Sequence, residues 1–96
     1  MNLAHQFVLK AGSTIEGARG YWDGACIDFA GELIDSIGKG RLAYFNTDLN
    51  PDWKYHAAVV VDGVVHDLWQ DSPIPLPEYL PKIGAVSVEY PAEVTP

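Results

Sequence analysis

The sequence is poor in the residues that staple, load or anchor a small protein. One cysteine, Cys26, stands in 96 residues, and this excludes an intrachain disulfide. Exported domains of this size usually rely on such bridges, so a reducing, cytoplasmic setting is expected. There is no Cys-x-x-Cys and no histidine pair at helical ligand spacing, so no metal and no cofactor is expected. Long apolar runs are missing as well. The longest covers 57–61, far short of a membrane span, and residues 1–10 do not read as a secretory signal. Basic residues are scarce: six Lys and Arg against thirteen Asp and Glu give a net charge of −7. Such a field repels phosphate backbones and anionic lipid, which argues against nucleic acid and membranes as partners. It permits a basic protein partner, or mimicry of nucleic-acid charge.

Apolar residues make up 48% of the chain and charged ones only 20%, a balance that folds rather than stays disordered. A single domain over 1–96 is expected. A weak helix is read in residues 1–10, followed by a glycine-punctuated loop over 11–24. The clearest element comes next. Apolar side chains at 26, 29, 30, 33, 34 and 37 form the one-sided stripe of a helix over 25–38, with Asp23 placed to cap its start and Gly38 to end it. An antiparallel sheet is expected over 41–90. Its strands are 41–46, 55–61, 64–69 and 85–90, with turn chemistry at 47–54 and the Asp62-Gly63 hairpin turn between the middle two. Prolines 73, 75, 77 and 81 make the stretch before the last strand extended, with one helical turn at 78–80, and residues 91–96 read as a tail. One main helix packed on a small antiparallel sheet is an α+β fold.

Cys26 falls in the first turn of that helix, where the helix N-terminus lowers a thiol's pKa. Alone, it reads rather as a small buried hydrophobe on the apolar stripe, since free cysteines are among the most buried residue types. His56 changes the reading. If Asp62-Gly63 fixes Val61 opposite Val64, then His56, Ala58, Val60, Val65, Asp67 and Trp69 share one face, with Asp67 diagonal to His56. His66 falls on the opposite face. The apolar stripe of the helix is expected to pack on the face bearing His56 and Asp67. A thiol, an imidazole and a carboxylate in that relation are a nucleophile, its base and the group that fixes the base's tautomer.

The segment Gly20-Tyr21-Trp22-Asp23-Gly24-Ala25-Cys26-Ile27-Asp28 resembles the nucleophile segment of papain-like cysteine peptidases, nearest their compact NlpC-type and transglutaminase-like branches. The stretch from Tyr55-His56 through His66-Asp67-Leu68-Trp69 is similar to their histidine strand, turn and acidic-residue strand, in the same Cys, His, Asp order. The resemblance implies a minimal papain-like core. Cys26 would be nucleophile, His56 general base and Asp67 orienter, and the Cys26 N–H, with Tyr21 or Trp22, would help bind an oxyanion. Trp69, opposite His56 in that register, would line the substrate site, cover the imidazole from water or simply pack. Two functions follow as expectations. One is a cysteine hydrolase or acyltransferase acting on a peptide or other amide, an isopeptide or a thioester. The other is a small acidic interaction protein of the inhibitor type that uses the fold without catalysis.

Overall fold

The helical and strand periodicities of the sequence become the elements they imply, but the layers stack differently from expectation. The structure, a computed structural model, describes residues 1–47 and 55–91. The turn expected over 47–54, Thr47 apart, and the tail beyond Pro91 lie outside the described residues. Four helices, α1 (Leu3–Lys10), α2 (Ile15–Tyr21), α3 (Cys26–Ile37) and α4 (Leu76–Lys82), accompany five strands. The strands are β1 (Arg41–Asn46), β2 (Tyr55–Val61), β3 (Val64–His66), β4 (Ile74–Pro75) and β5 (Ser87–Glu89). All pairings are antiparallel, in the order β4-β3-β2-β1-β5. The fold is α+β, with the main helix packed on a small sheet.

Several boundaries have local causes. The stretch read as loop over 11–24 contains α2, because the Thr14 side chain accepts the Gly17 N–H and caps it. Asp23 does not cap α3. Ala25 is the N-cap, and Asp23 lies two residues too early to reach the first free amides. Gly38, at φ 69°, ends α3 in the left-handed conformation, as its lack of a Cβ allows. At the hairpin, Asp62 and Gly63 both take positive φ, which suits the twist of the flanking strands. The register is the expected one, Val61 opposite Val64 and Val59 opposite His66. The strand expected over 64–69 stops at His66, because the Asp67 carboxylate turns back to accept the Trp69 N–H at 3.0 Å. The helical turn at 78–80 extends to a full α4, with Pro77 in its permissive first turn.

Two cores sandwich the sheet. Phe29, Ala30 and Leu33 of α3 pack with Ala4, Val8, Ala18, Val59, Val61 and Leu68 on one face. Burying Phe29 and Leu33 contributes about 1.5–3 kcal/mol each. Ala43, Phe45, Ala58, Val60, Val65, Ile74, Tyr79 and Ile83 fill the other face under α4. The stripe of α3 therefore covers the odd-numbered face of β2, not the face shared by His56, Ala58 and Val60. That expectation is corrected: Val59 and Val61 are the larger apolar pair, and the helix follows them. No helix among the described residues is long and apolar enough to cross a membrane.

Candidate active site

Although α3 lies on the opposite face from the His56 side of β2, Cys26 and His56 meet. Strand β3 leaves the ladder at His66, so the ladder between β2 and β3 stops at Val59 and does not reach His56. At this vacated edge the two layers come together around the His56 ring, which is 5% exposed. Asp67 Oδ2 lies 3.0 Å from His56 Nε2. A carboxylate only accepts, so Nε2–H donates to it and Nδ1 is the nitrogen left for the thiol. The Cys26 sulfur, half-buried at the start of α3, lines one cleft with His56 and Ala57, close enough for the imidazole and the Ala57 backbone amide to act on its pKa. The Trp69 ring stands edge-on to the imidazole, with centroids 5.6 Å apart, and reaches on to Phe29 at 6.2 Å. It shields the imidazole from the turn after β3, although it does not pair across the ladder from His56 as the extended strand would have had it.

Electrostatics follow the contacts. Burial raises the Cys26 pKa, but hydrogen bonds from His56 and the Ala57 amide, with the imidazolium charge, outweigh it and leave the thiol lowered. Burial likewise works against a charged His56. The Asp67 hydrogen bond, the Cys26 hydrogen bond and both negative charges overcome it and raise the imidazole to about 9. Both shifts favour a thiolate beside an imidazolium at neutral pH.

Asp67 is held more firmly than the sequence suggested. Its side chain is almost fully buried and accepts from His56, from the Trp69 N–H and from the Tyr79 hydroxyl at 2.5 Å. Tyr79 is 0% exposed, and burial followed by the Asp67 charge drives its pKa well above the ordinary phenol, so it remains a donor. The N-terminal helices fix the backbone of the same loop. Asn2 Nδ2 donates to the Asp67 carbonyl at 2.9 Å, and Arg19 Nε donates to the Leu68 carbonyl at 2.8 Å. Sequence reading missed all three of these residues. Tyr79 was hidden in a proline-rich stretch, and neither Asn2 nor Arg19 belongs to a motif that points across 49 or more positions.

A cleft of about 310 Å³ opens at Cys26 and His56, lined also by Ile27, Tyr44, Tyr55, Ala57 and Glu89. Tyr21 and Trp22 do not reach it. They line a separate cleft between α1, α2 and α3 with Phe7 and Val8, and Trp22 packs edge-on to Phe29 at 5.4 Å. Tyr21 ends α2 and Trp22 is its C-cap, and both rings line this second cleft rather than the one at Cys26 and His56 where the resemblance expected them. Compared with known proteins, the chain matches no family model, no curated protein and no solved structure. Among the described residues no three His, Cys, Asp or Glu side chains are grouped to hold a metal ion. The start of α3 has no side-chain cap, so no capping side chain takes up the amides of its first turn. A polarised thiol and a buried base with an orienting acid at a cleft can together attack a carbonyl.

Proposed function

We propose that the protein is a minimal papain-like cysteine hydrolase or acyltransferase acting on an amide, isopeptide or thioester. The observation that carries this reading is the buried His56 ring, held by the Asp67 carboxylate at 3.0 Å and lining one cleft together with the Cys26 thiol. The Cys26 thiolate adds to the carbonyl carbon, forming a C–S bond, and the oxyanion draws on the amides at the start of α3. Collapse breaks the C–N bond of an amide as the His56 imidazolium gives its proton to the departing amine. Water, or an acceptor amine, then attacks the thioester while neutral His56 takes its proton. The C–S bond breaks, and thiolate and imidazolium are restored. Throughout, Asp67 holds Nε2–H, which keeps Nδ1 facing the sulfur. A free thiolate survives where thiols are kept reduced, which fits action in the cytoplasm.

The test is the pH profile of Cys26 alkylation by iodoacetamide. Rapid reaction at pH 6 that slows strongly in His56→Ala supports the reading. Reaction that rises only near the ordinary thiol pKa of about 8.5 would sink it and leave the acidic binding protein as the better account.

A further inference from the structure

The cleft at Cys26 does not end at its rim. A second hollow of about 150 Å³ shares Tyr44, Tyr55 and Glu89 with it and continues to Asn46 and Ser87. The register explains why these residues form one trough. Ala57, Tyr44 and Glu89 sit in one cross-strand row, and Tyr55, Asn46 and Ser87 in the next. On the same face of β1, Leu42 packs into the core beneath α3, whereas Tyr44 and Asn46 line the open trough. The floor is aromatic and the rim apolar, with Tyr55 69% and Ile27 51% exposed. Glu89 brings a carboxylate to this lining away from the Cys26–His56 pair, and among the described residues it has no ion-pair partner.

Two strand spacings, about 10 Å, separate the backbone of Glu89 from that of Ala57, which lines the cleft with Cys26. A lysine or arginine near the attacked carbonyl spans that distance. Its aliphatic stem lies over the tyrosine rings and its cation meets both the ring faces and the carboxylate. The net charge of −7 adds attraction of the same sign. We infer that the trough selects a substrate carrying a cationic side chain beside the reacting carbonyl, and that Glu89 is the residue that selects it. This inference rests on the proposed acyl chemistry only for its reacting carbonyl; the trough itself is read from the sheet.

The experiment separates the two. Cys26→Ala, which can form no covalent adduct, is titrated with acetylated tripeptide amides Gly-Arg-Gly, Gly-Leu-Gly and Gly-Glu-Gly, followed by NMR shifts of Tyr44, Tyr55 and Glu89. The arginine peptide is expected to bind roughly 5–30-fold tighter than the leucine one, with the glutamate peptide weakest. Adding Glu89→Gln should cut the arginine preference about 3–10-fold, and raising salt should shrink it in the same direction. Equal binding of the three peptides, or an arginine preference untouched by Glu89→Gln in a protein that melts normally, overturns the inference. Arginine-selective binding beside a thiol that is inert at pH 6 would keep the trough and discard the acyl chemistry.

Discussion

His56 and His66 lie ten positions apart on one hairpin, yet the structure gives them opposite surroundings. Both are nearly buried, at 5% and 8% exposure. His56 meets two acidic groups, Asp67 and Cys26, and its pKa rises to about 9. The His66 pKa falls, through burial first and then the positive charges of the N-terminus and Lys39. Its Nδ1 accepts the Leu3 N–H at 3.0 Å, so the neutral ring anchors α1 to the sheet. Burial is similar for the two rings. What separates a candidate catalytic base from a structural peg is the sign of the neighbours, which the pleat of the hairpin decides by sending alternate side chains to opposite faces.

The sharpest way to break that comparison is to remove each ring. Cys26→Ala should abolish turnover, and His56→Ala should lower it by about 10²–10⁴-fold, the usual worth of a positioned general base. His66→Ala should leave most of the activity and instead cost about 1–3 kcal/mol of stability, because it takes the acceptor from the partly buried Leu3 amide. Turnover of a small amide measured beside urea melts decides the matter. A folded His66→Ala as inactive as His56→Ala would show that the division of labour is wrong.

Smaller changes probe the acid behind His56. Asp67→Asn keeps the shape but can turn a donor toward Nε2, reversing the tautomer. A loss of about 10⁴ accompanies that change in a serine triad, and a thiolate–imidazolium pair, which forms more readily, should lose about 10–10³. Tyr79→Phe removes one of three donors to the buried carboxylate. It should cost about 1–3 kcal/mol of stability and reduce turnover by several-fold at most, since His56 and the Trp69 amide still hold Asp67. If Tyr79 only packs, Tyr79→Phe will leave the pH profile of Cys26 alkylation where it was. If it positions Asp67, the profile will shift.

The sequence made the hairpin legible because Asp62-Gly63 leaves little choice of register, and the pleat then places His56 and Asp67 on one side without further information. It made α3 legible through its apolar stripe. It did not reveal which face of β2 that stripe would cover, because β2 is apolar on both faces: Ala58 and Val60 against Val59 and Val61. Nor did it reveal where β3 would stop. Residues 64–69 are strand-like by composition, but the Asp67 side chain competes for the Trp69 amide and wins. That early stop is what lets the Cys26 helix and the His56 strand meet at the sheet's edge. The Tyr79 bond to Asp67 joins residues whose pairing no short motif encodes.

The smallest expected effect is the pH dependence of stability, where the two histidines should pull in opposite directions. A ring whose pKa is depressed on folding, as in His66, takes up a proton more readily when unfolded. Its contribution is complete above the unfolded value of about 6.5 and is lost as the pH falls. For His56, raised to about 9, the contribution is complete below about 6.5 and fades as the pH rises toward 9. Cys26 opposes this second slope. Its lowered pKa means that folding releases the thiol proton early, so stability gains with pH up to the ordinary thiol value. Near neutrality the proton simply moves from sulfur to imidazole, the folded and unfolded chains bind nearly equal numbers of protons, and these two groups together leave the wild type nearly flat. Urea midpoints at pH 5, 7 and 9 read the balance. Cys26→Ala should expose a decline from pH 7 to 9, weaker than His56 alone implies because the thiolate that helped raise its pKa is gone. His66→Asn, which keeps an acceptor near Nδ1 but does not titrate, should flatten the acid side relative to wild type. A Cys26→Ala protein as flat as wild type between pH 7 and 9 would mean that no proton is shared between Cys26 and His56.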